Sequence, residues 1–244
     1  MATKSYPQYG WSAVPRDIPT LLKTQSKAQG ASPAFSMEEL QVPKSALARK
    51  VHEYTRKELN RETFNHSLRV WCYGQAILRH SFPSWQSPEF NETYFLTCLL
   101  HDIGTTDKNM PATLMSFEFY GGMLAHSLLT NLSSPIQQNE SIAESIIRHQ
   151  DLGSTGTLSR MGALIQLATI FDNMGQNPSL VSRSTVESVV AEYPRLGWSG
   201  CFAATIRKEN GLKPWAHTTH LGERDFPEGV EGNELMAEWD GTGL

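Results

Sequence analysis

Four residues of this chain have the types and placing to hold one metal ion. His101 and Asp102 close an apolar run, L-L-H-D-I-G. A neutral imidazole and a carboxylate are both good ligands for zinc, iron or manganese. Adjacent helical residues diverge by about 100°, so the pair can share an ion only near a helix end. Gly104 supplies that end as the expected left-handed C-terminal residue. His66 stands upstream in F-N-H-S-L-R-V and Asp172 downstream in L-I-Q-L-A-T-I-F-D-N. A carboxylate on so apolar a helix needs a cation or a hydrogen-bonded partner. The bland alternatives are a salt bridge for Asp172 and core filling for His66. Taken together, His…His-Asp…Asp on separate helices reads as a metal set. Thr169 lies three residues before Asp172 on the same helix face, which aims its hydroxyl at the metal pocket unless it bonds back to its own helix.

These side chains need a helical frame, and the sequence supplies one. Asn60 caps a helix carrying Phe64, Leu68, Trp71, Cys72 and Leu78 on one broad face. A second helix runs from about Asn91 to the His-Asp pair. A third opens at Ser116, with Gly121-Gly122 permitting close backbone approach, and a fourth carries Ile142, Ile146 and Ile147. Met161 to Met174 is apolar nearly all round and predicts a central, buried helix. Two more follow near 184–192 and 198–209. A Ser36-x-x-Glu39 capping box opens a first short helix, and Pro43 separates it from a longer one. Alternating strand runs and repeats are lacking. Residues 1–35, rich in Pro, Ser, Gln and Gly, read as an extended N-terminal arm pinned by Trp11 and Val14. Residues 36–222 read as one all-α catalytic domain and 223–244 as a surface tail.

The composition narrows the function. Charged residues make up 19% of the 244, with a formal net charge of −4. No clustered Lys or Arg invites nucleic acid or an anionic membrane. Cys72, Cys98 and Cys201 form no C-x-x-C pair, which argues for a reducing, cytoplasmic compartment rather than a disulfide framework. There is no signal-like N-terminus and no spanning segment of about 18 apolar residues. Thr242-Gly243-Leu244 is not the common peroxisomal tripeptide.

The H…HD…D pattern on a helical bundle resembles the HD superfamily of metal-dependent enzymes, whose four metal ligands fall on His66, His101, Asp102 and Asp172. Longer segments are similar to one branch, the fungal cyanamide hydratases. They are N-H-S-L-R-V (65–70), T-C-L-L-H-D-I-G-T-T-D-K-N-M (97–110) and M-S-F-E-F-Y-G-G (115–122). They continue with I-I-R-H-Q-D-L (146–152), L-I-Q-L-A-T-I-F-D-N (164–173), Y-P-R-L-G-W (193–198) and K-P-W-A-H-T-T-H (213–220). The likeness covers roughly residues 45–222 and the G-W-x-x-V-P stretch at Gly10–Pro15, and departs in the rest of the arm and in the tail.

The resemblance implies an HD-domain helical bundle, one Zn²⁺ per chain in preference to Fe²⁺ or Mn²⁺, and a detoxifying lyase that hydrates cyanamide to urea. Nitrile hydration expels no leaving group. It needs a hydroxide at neutral pH, which a metal provides by lowering the pKa of its water to about 7, and it needs a polarised nitrile and a proton for nitrogen. The resemblance turns His149 into the pocket as substrate partner or proton shuttle, beside Thr169; the alternative is a solvated histidine at a helix end. The family needs no histidine where His126 stands, so one ion is expected, although some HD enzymes use two extra histidines in this interval for a second. His217 and His220 are spaced for a metal but read as packing, and His52 and His80 as surface. The competing reaction is a nucleotide phosphohydrolase, for which Arg69 and Lys108 would be the phosphate-holding cations. A small neutral nitrile is the expected partner, with a homo-oligomer through the Trp11 arm as a further possibility.

Overall fold

The computed structural model describes residues 6–241. The start of the arm, residues 1–5, and the Thr242-Gly243-Leu244 terminus lie outside the described residues. The described residues form eleven α-helices and one two-stranded sheet. No described helix is long and apolar enough to cross a membrane.

The centre is built from α3 (Arg61–Ser81) and α7 (Arg160–Met174), which pack on each other. Asn60 caps α3 by accepting from the Thr63 amide at 2.8 Å, and Ser159 caps α7 in the same way. Residues 161–173 are all buried, as their unbroken apolarity predicts. Around this pair stand α2 (Ala46–Glu58), α4 (Pro88–Leu100), α5 (Phe117–Asn131) and α6 (Ile136–Ile147). Ser87 and Pro88 start α4 three residues before the expected Asn91, because a capping hydroxyl and a proline at the first position are both favourable there. The α5–α6 contact depends on Gly122, where a Cβ would come 2.6 Å from Ile147 Cγ1 and 3.0 Å from the Ala143 carbonyl. The bundle is completed by α8 (Arg183–Glu192) and α9 (Trp198–Leu212).

Three regions differ from the sequence reading. The arm is not simply extended: β1 (Ala13–Pro15) pairs antiparallel with β2 (Thr157–Ser159), and α1 (Ile18–Gln25) follows. Asp17 caps α1 through the Thr20 amide. The three-residue strands are too short for an alternating pattern to register. The Ser36/Glu39 box forms its reciprocal bonds yet encloses only a turn, since Pro43 lies too close downstream for a helix to propagate. The tail carries α10 (Asp225–Glu231) and α11 (Ala237–Asp240). Phe226 and Val230 are buried with Phe117, Trp198, Phe202 and Ile206 in a second apolar cluster. Trp11 donates to the Gln137 carbonyl at 2.9 Å, and Val14 is buried, so the arm is pinned as expected.

Candidate metal centre

His66 projects from the first turns of α3, and His101 follows the last residue of α4. Asp102 leaves the helix at φ −101°, ψ 12°, and that change of direction lets adjacent residues converge. Gly104 does not have the left-handed backbone expected of it. Its need is steric, because a Cβ there would lie 2.1 Å from the Phe117 carbonyl oxygen. The loop after the His-Asp pair therefore closes tightly onto α5.

His66, His101 and Asp102 are at most 1% exposed, and their donor atoms lie within 4.8 Å of one another. The His66 Nδ1 sits 2.6 Å from Asp172 Oδ2, and His101 Nδ1 donates to the Cys98 carbonyl at 2.7 Å. With each Nδ1 so engaged, both Nε2 lone pairs turn inward, 3.2 Å apart. Asp102 Oδ2 stands 3.3 Å from His101 Nε2 and 3.8 Å from His66 Nε2. Neither Asp102 oxygen accepts a hydrogen bond although both are buried. Three electron-rich groups facing one another without donors require a positive charge between them. Burial pushes the His66 imidazolium down to about 4 in spite of Asp172, so this ring is neutral at pH 7. Burial likewise opposes charging His101, but the Asp102 carboxylate beside it raises its affinity for a proton. A divalent ion would supply the missing charge and compete with that proton. The donor set fits such an ion.

Asp172 is differently employed. It falls outside the three-residue group. Its Oδ1 accepts from Arg195 Nη1 at 2.7 Å and Arg69 Nε at 3.1 Å, and its Oδ2 from His66 Nδ1 and Arg69 Nη2. Burial alone would raise the Asp172 carboxyl, but the two guanidiniums and His66 hold it far below the usual carboxylate range. The structure thus places Asp172 behind His66, in a buried ion network. The rings of Trp198 and His66 stack at 4.1 Å, fixing the imidazole from a second side.

His149, 2% exposed, follows α6. Its Nδ1 donates to the Ile146 carbonyl at 2.7 Å, and its Nε2 comes 3.9 Å from Asp102 Oδ1. Burial and the nearby His101 lower its affinity for a proton. Thr169 is redirected: its hydroxyl donates to the Ile165 and Gln166 carbonyls of its own helix, at 2.9 and 3.2 Å. In an apolar helix interior the nearest acceptor is the preceding turn. His126 is half-buried on α5 and does not join the cluster. His52 is half-buried between Phe64 and Phe95 rather than on the surface.

The HD domain family matches residues 63–177. Two curated relatives of Saccharomyces cerevisiae, Cyanamide hydratase DDI2 and Cyanamide hydratase DDI3, are each 43% identical over 224 residues. That span covers 91% of this chain and 96% of each relative. The chain belongs to the cyanamide hydratase family of HD-domain proteins.

The sequence reading missed two buried charged residues around the cluster. Arg195 is buried and bridges Asp172 to Asp240 Oδ1 at 2.8 Å. Glu118, fully buried on α5, has an Oε2 with no hydrogen-bond partner. Both lie in segments that resemble the hydratases, but nothing in Y-P-R-L-G-W or M-S-F-E-F-Y-G-G marks a charge as buried. Arg69, weighed as a phosphate-holding cation, is committed to Asp172. Lys108 is 78% exposed beside Glu58.

Proposed function

We propose that the protein hydrates cyanamide to urea at a single divalent metal held by His66, His101 and Asp102, with Asp172 as the carboxylate that orients His66. The observation that carries this reading is the buried, donor-free convergence of two Nε2 atoms and an unshared carboxylate in a chain 43% identical to cyanamide hydratases over nearly its whole length. Two imidazoles and a carboxylate suit zinc or ferrous iron and leave a position open to solvent or substrate; zinc is the ion proposed. When bound, such an ion supplies a water of lowered pKa and an electrophile for the nitrile.

The residues of the chain do the rest. Asp172 fixes the His66 tautomer through Nδ1, as the Cys98 carbonyl fixes that of His101. His149 spends Nδ1–H on Ile146 and so presents a bare, neutral Nε2 toward the Asp102 side. It accepts the proton of the attacking water and returns it to the nitrile nitrogen. The oxygen adds to carbon, one proton goes to nitrogen, and the isourea tautomerises to urea, so atoms balance with one water consumed. Thr169, its proton bonded to Ile165, keeps only acceptor lone pairs for substrate. The commitment of Arg69 and Arg195 to Asp172 supports a neutral substrate over a nucleotide. A surface pocket of about 330 Å³, lined by Asn60, Thr63, Thr105 and Met110, lies beside the ligand-bearing elements and is the proposed approach.

A detoxifying role belongs to the same proposal through the cyanamide substrate, and a cytoplasmic place of action is supported by three unpaired thiols. Self-association is supported by the exposed Leu114 and Trp215 side chains, 76% and 61% accessible. The deciding experiment incubates metal-analysed protein with cyanamide and, separately, with a nucleotide panel. Urea formation without phosphate release is expected. Nucleotide hydrolysis with cyanamide untouched overturns the hydratase reading.

A further inference from the structure

A second group of donors lies outside the buried centre. Asp151, His217 and His220 bring one carboxylate oxygen and two imidazole nitrogens within 4.8 Å of one another. His217 and His220 stand three apart in the 3₁₀ segment His217–Leu221, where residues i and i+3 eclipse. Their rings lie 4.4 Å apart.

We propose that Asp151, His217 and His220 form a second, half-exposed site for a borderline divalent cation such as zinc. Each histidine is already held as a metal-bound imidazole is held, by a partner on its other nitrogen. His220 Nδ1 donates to the His217 carbonyl at 2.6 Å. His217 Nδ1 is 3.3 Å from Oε1 of the buried Glu118, whose Oε2 has no partner to compete for the charge it must balance. Both Nε2 atoms are thereby left as acceptors. Asp151 is steadied by Arg16 at Oδ1, 2.6 Å, and by Arg148 at Oδ2, 3.1 Å. Each carboxylate oxygen keeps a second lone pair. The two guanidiniums do not make the place positive, because Arg148 is shared between Asp151 and Glu144, and Glu118 adds a third carboxylate at His217. The exposed setting and the arginines make this site weaker than the buried one. An ion here would tie the 217–221 turn to the segment that runs on from His149 and, through Arg16, to the N-terminal arm.

The test is equilibrium dialysis of the intact protein, already loaded with one metal per chain, against added Zn²⁺, read by elemental analysis. A second, chelator-labile equivalent is expected in the parent and in His126→Ala, and is absent in His220→Ala, whose exposed side chain can be removed without harm to the fold. The site is overturned if the parent takes up no second equivalent, or if His220→Ala retains it. Loss in His126→Ala with retention in His220→Ala assigns the ion to the His126–His149 interval and overturns the proposal equally. None of these outcomes depends on the reaction at the buried centre.

Discussion

Two clusters of the same composition, two histidines and an aspartate, occupy this molecule in opposite surroundings. In the buried centre, Asp102 has no hydrogen-bond partner and no arginine, and the rings of His66 and His101 are at most 1% exposed. At the periphery, Asp151 is shared between Arg16 and Arg148, and His220 is exposed. Donor type is therefore not what separates a tight site from a weak one. Burial without partners leaves an unmet need for positive charge, whereas solvent and guanidinium groups meet that need in advance.

The comparison breaks most directly at His101. His101→Ala should drop metal content below about one-tenth of an equivalent and urea formation below about 1% of the parent, since the ion is asked to supply both nucleophile and electrophile. Retained metal with retained turnover in this variant would place the working ion elsewhere. Next comes His149→Ala, expected to keep its metal and lose about 100- to 10,000-fold in kcat. A rise in KM alone, with kcat intact, would make His149 a binding group instead of a proton carrier.

Asp172→Asn sharpens the role of the ion network. It leaves Arg69 buried without its counter-charge and Arg195 with Asp240 alone, at a cost of about 3–5 kcal/mol in unfolding free energy, and weakens metal affinity by about 10- to 100-fold. The pH dependence follows in sign. The Asp172 carboxyl is depressed in the folded chain, so its stabilisation is fully present above the unfolded value of about 3.9 and lost as pH falls below it. Metal-free parent protein should therefore lose stability on acidification below about pH 4, and the Asn variant should show a flatter profile there by denaturant titration.

Smaller effects come last. Thr169→Val, with its hydroxyl bonded inside the helix, should keep kcat within about tenfold and retain the metal, in contrast to the loss on the order of 100- to 1000-fold that follows removal of a directed catalytic hydrogen bond. A drop of that larger size would return Thr169 to the pocket. At the far end, His220→Ala should leave urea formation with the singly loaded protein unchanged.

Much of this was legible in the sequence because it rests on local rules. The Asn60 cap, the all-round apolarity of 161–174 and the glycine contact between α5 and α6 each follow from a few neighbouring residues. The three converging side chains could be named because His…His-Asp…Asp on separate helices was read as a set, of which the structure brings His66, His101 and Asp102 together. What escaped was set by distant partners. Arg195 and Asn233 meet Asp172 only after the fold is complete, and no spacing announces that. Helix geometry put Thr169 on the face of Asp172, but a face does not say which acceptor a hydroxyl chooses, and this one bonds within its own helix. The tail reads as polar because it contributes only a few apolar residues, Phe226, Val230 and Met236, to a surface that is otherwise provided.

The contacts of that tail bear on the order of events during synthesis. Asn233 Nδ2 holds the Asp172 carbonyl at 2.9 Å, and Asp240 holds Arg195, which holds the Asp172 carboxylate that steadies His66. The ligands leave the ribosome more than 130 residues before Asp240 does. Folding during synthesis proceeds from the N-terminus, so His66, His101 and Asp102 are available to a cation while the brace behind His66 is still untranslated. A cation bound by the nascent chain would lack that brace, which is complete only once the finished chain is released.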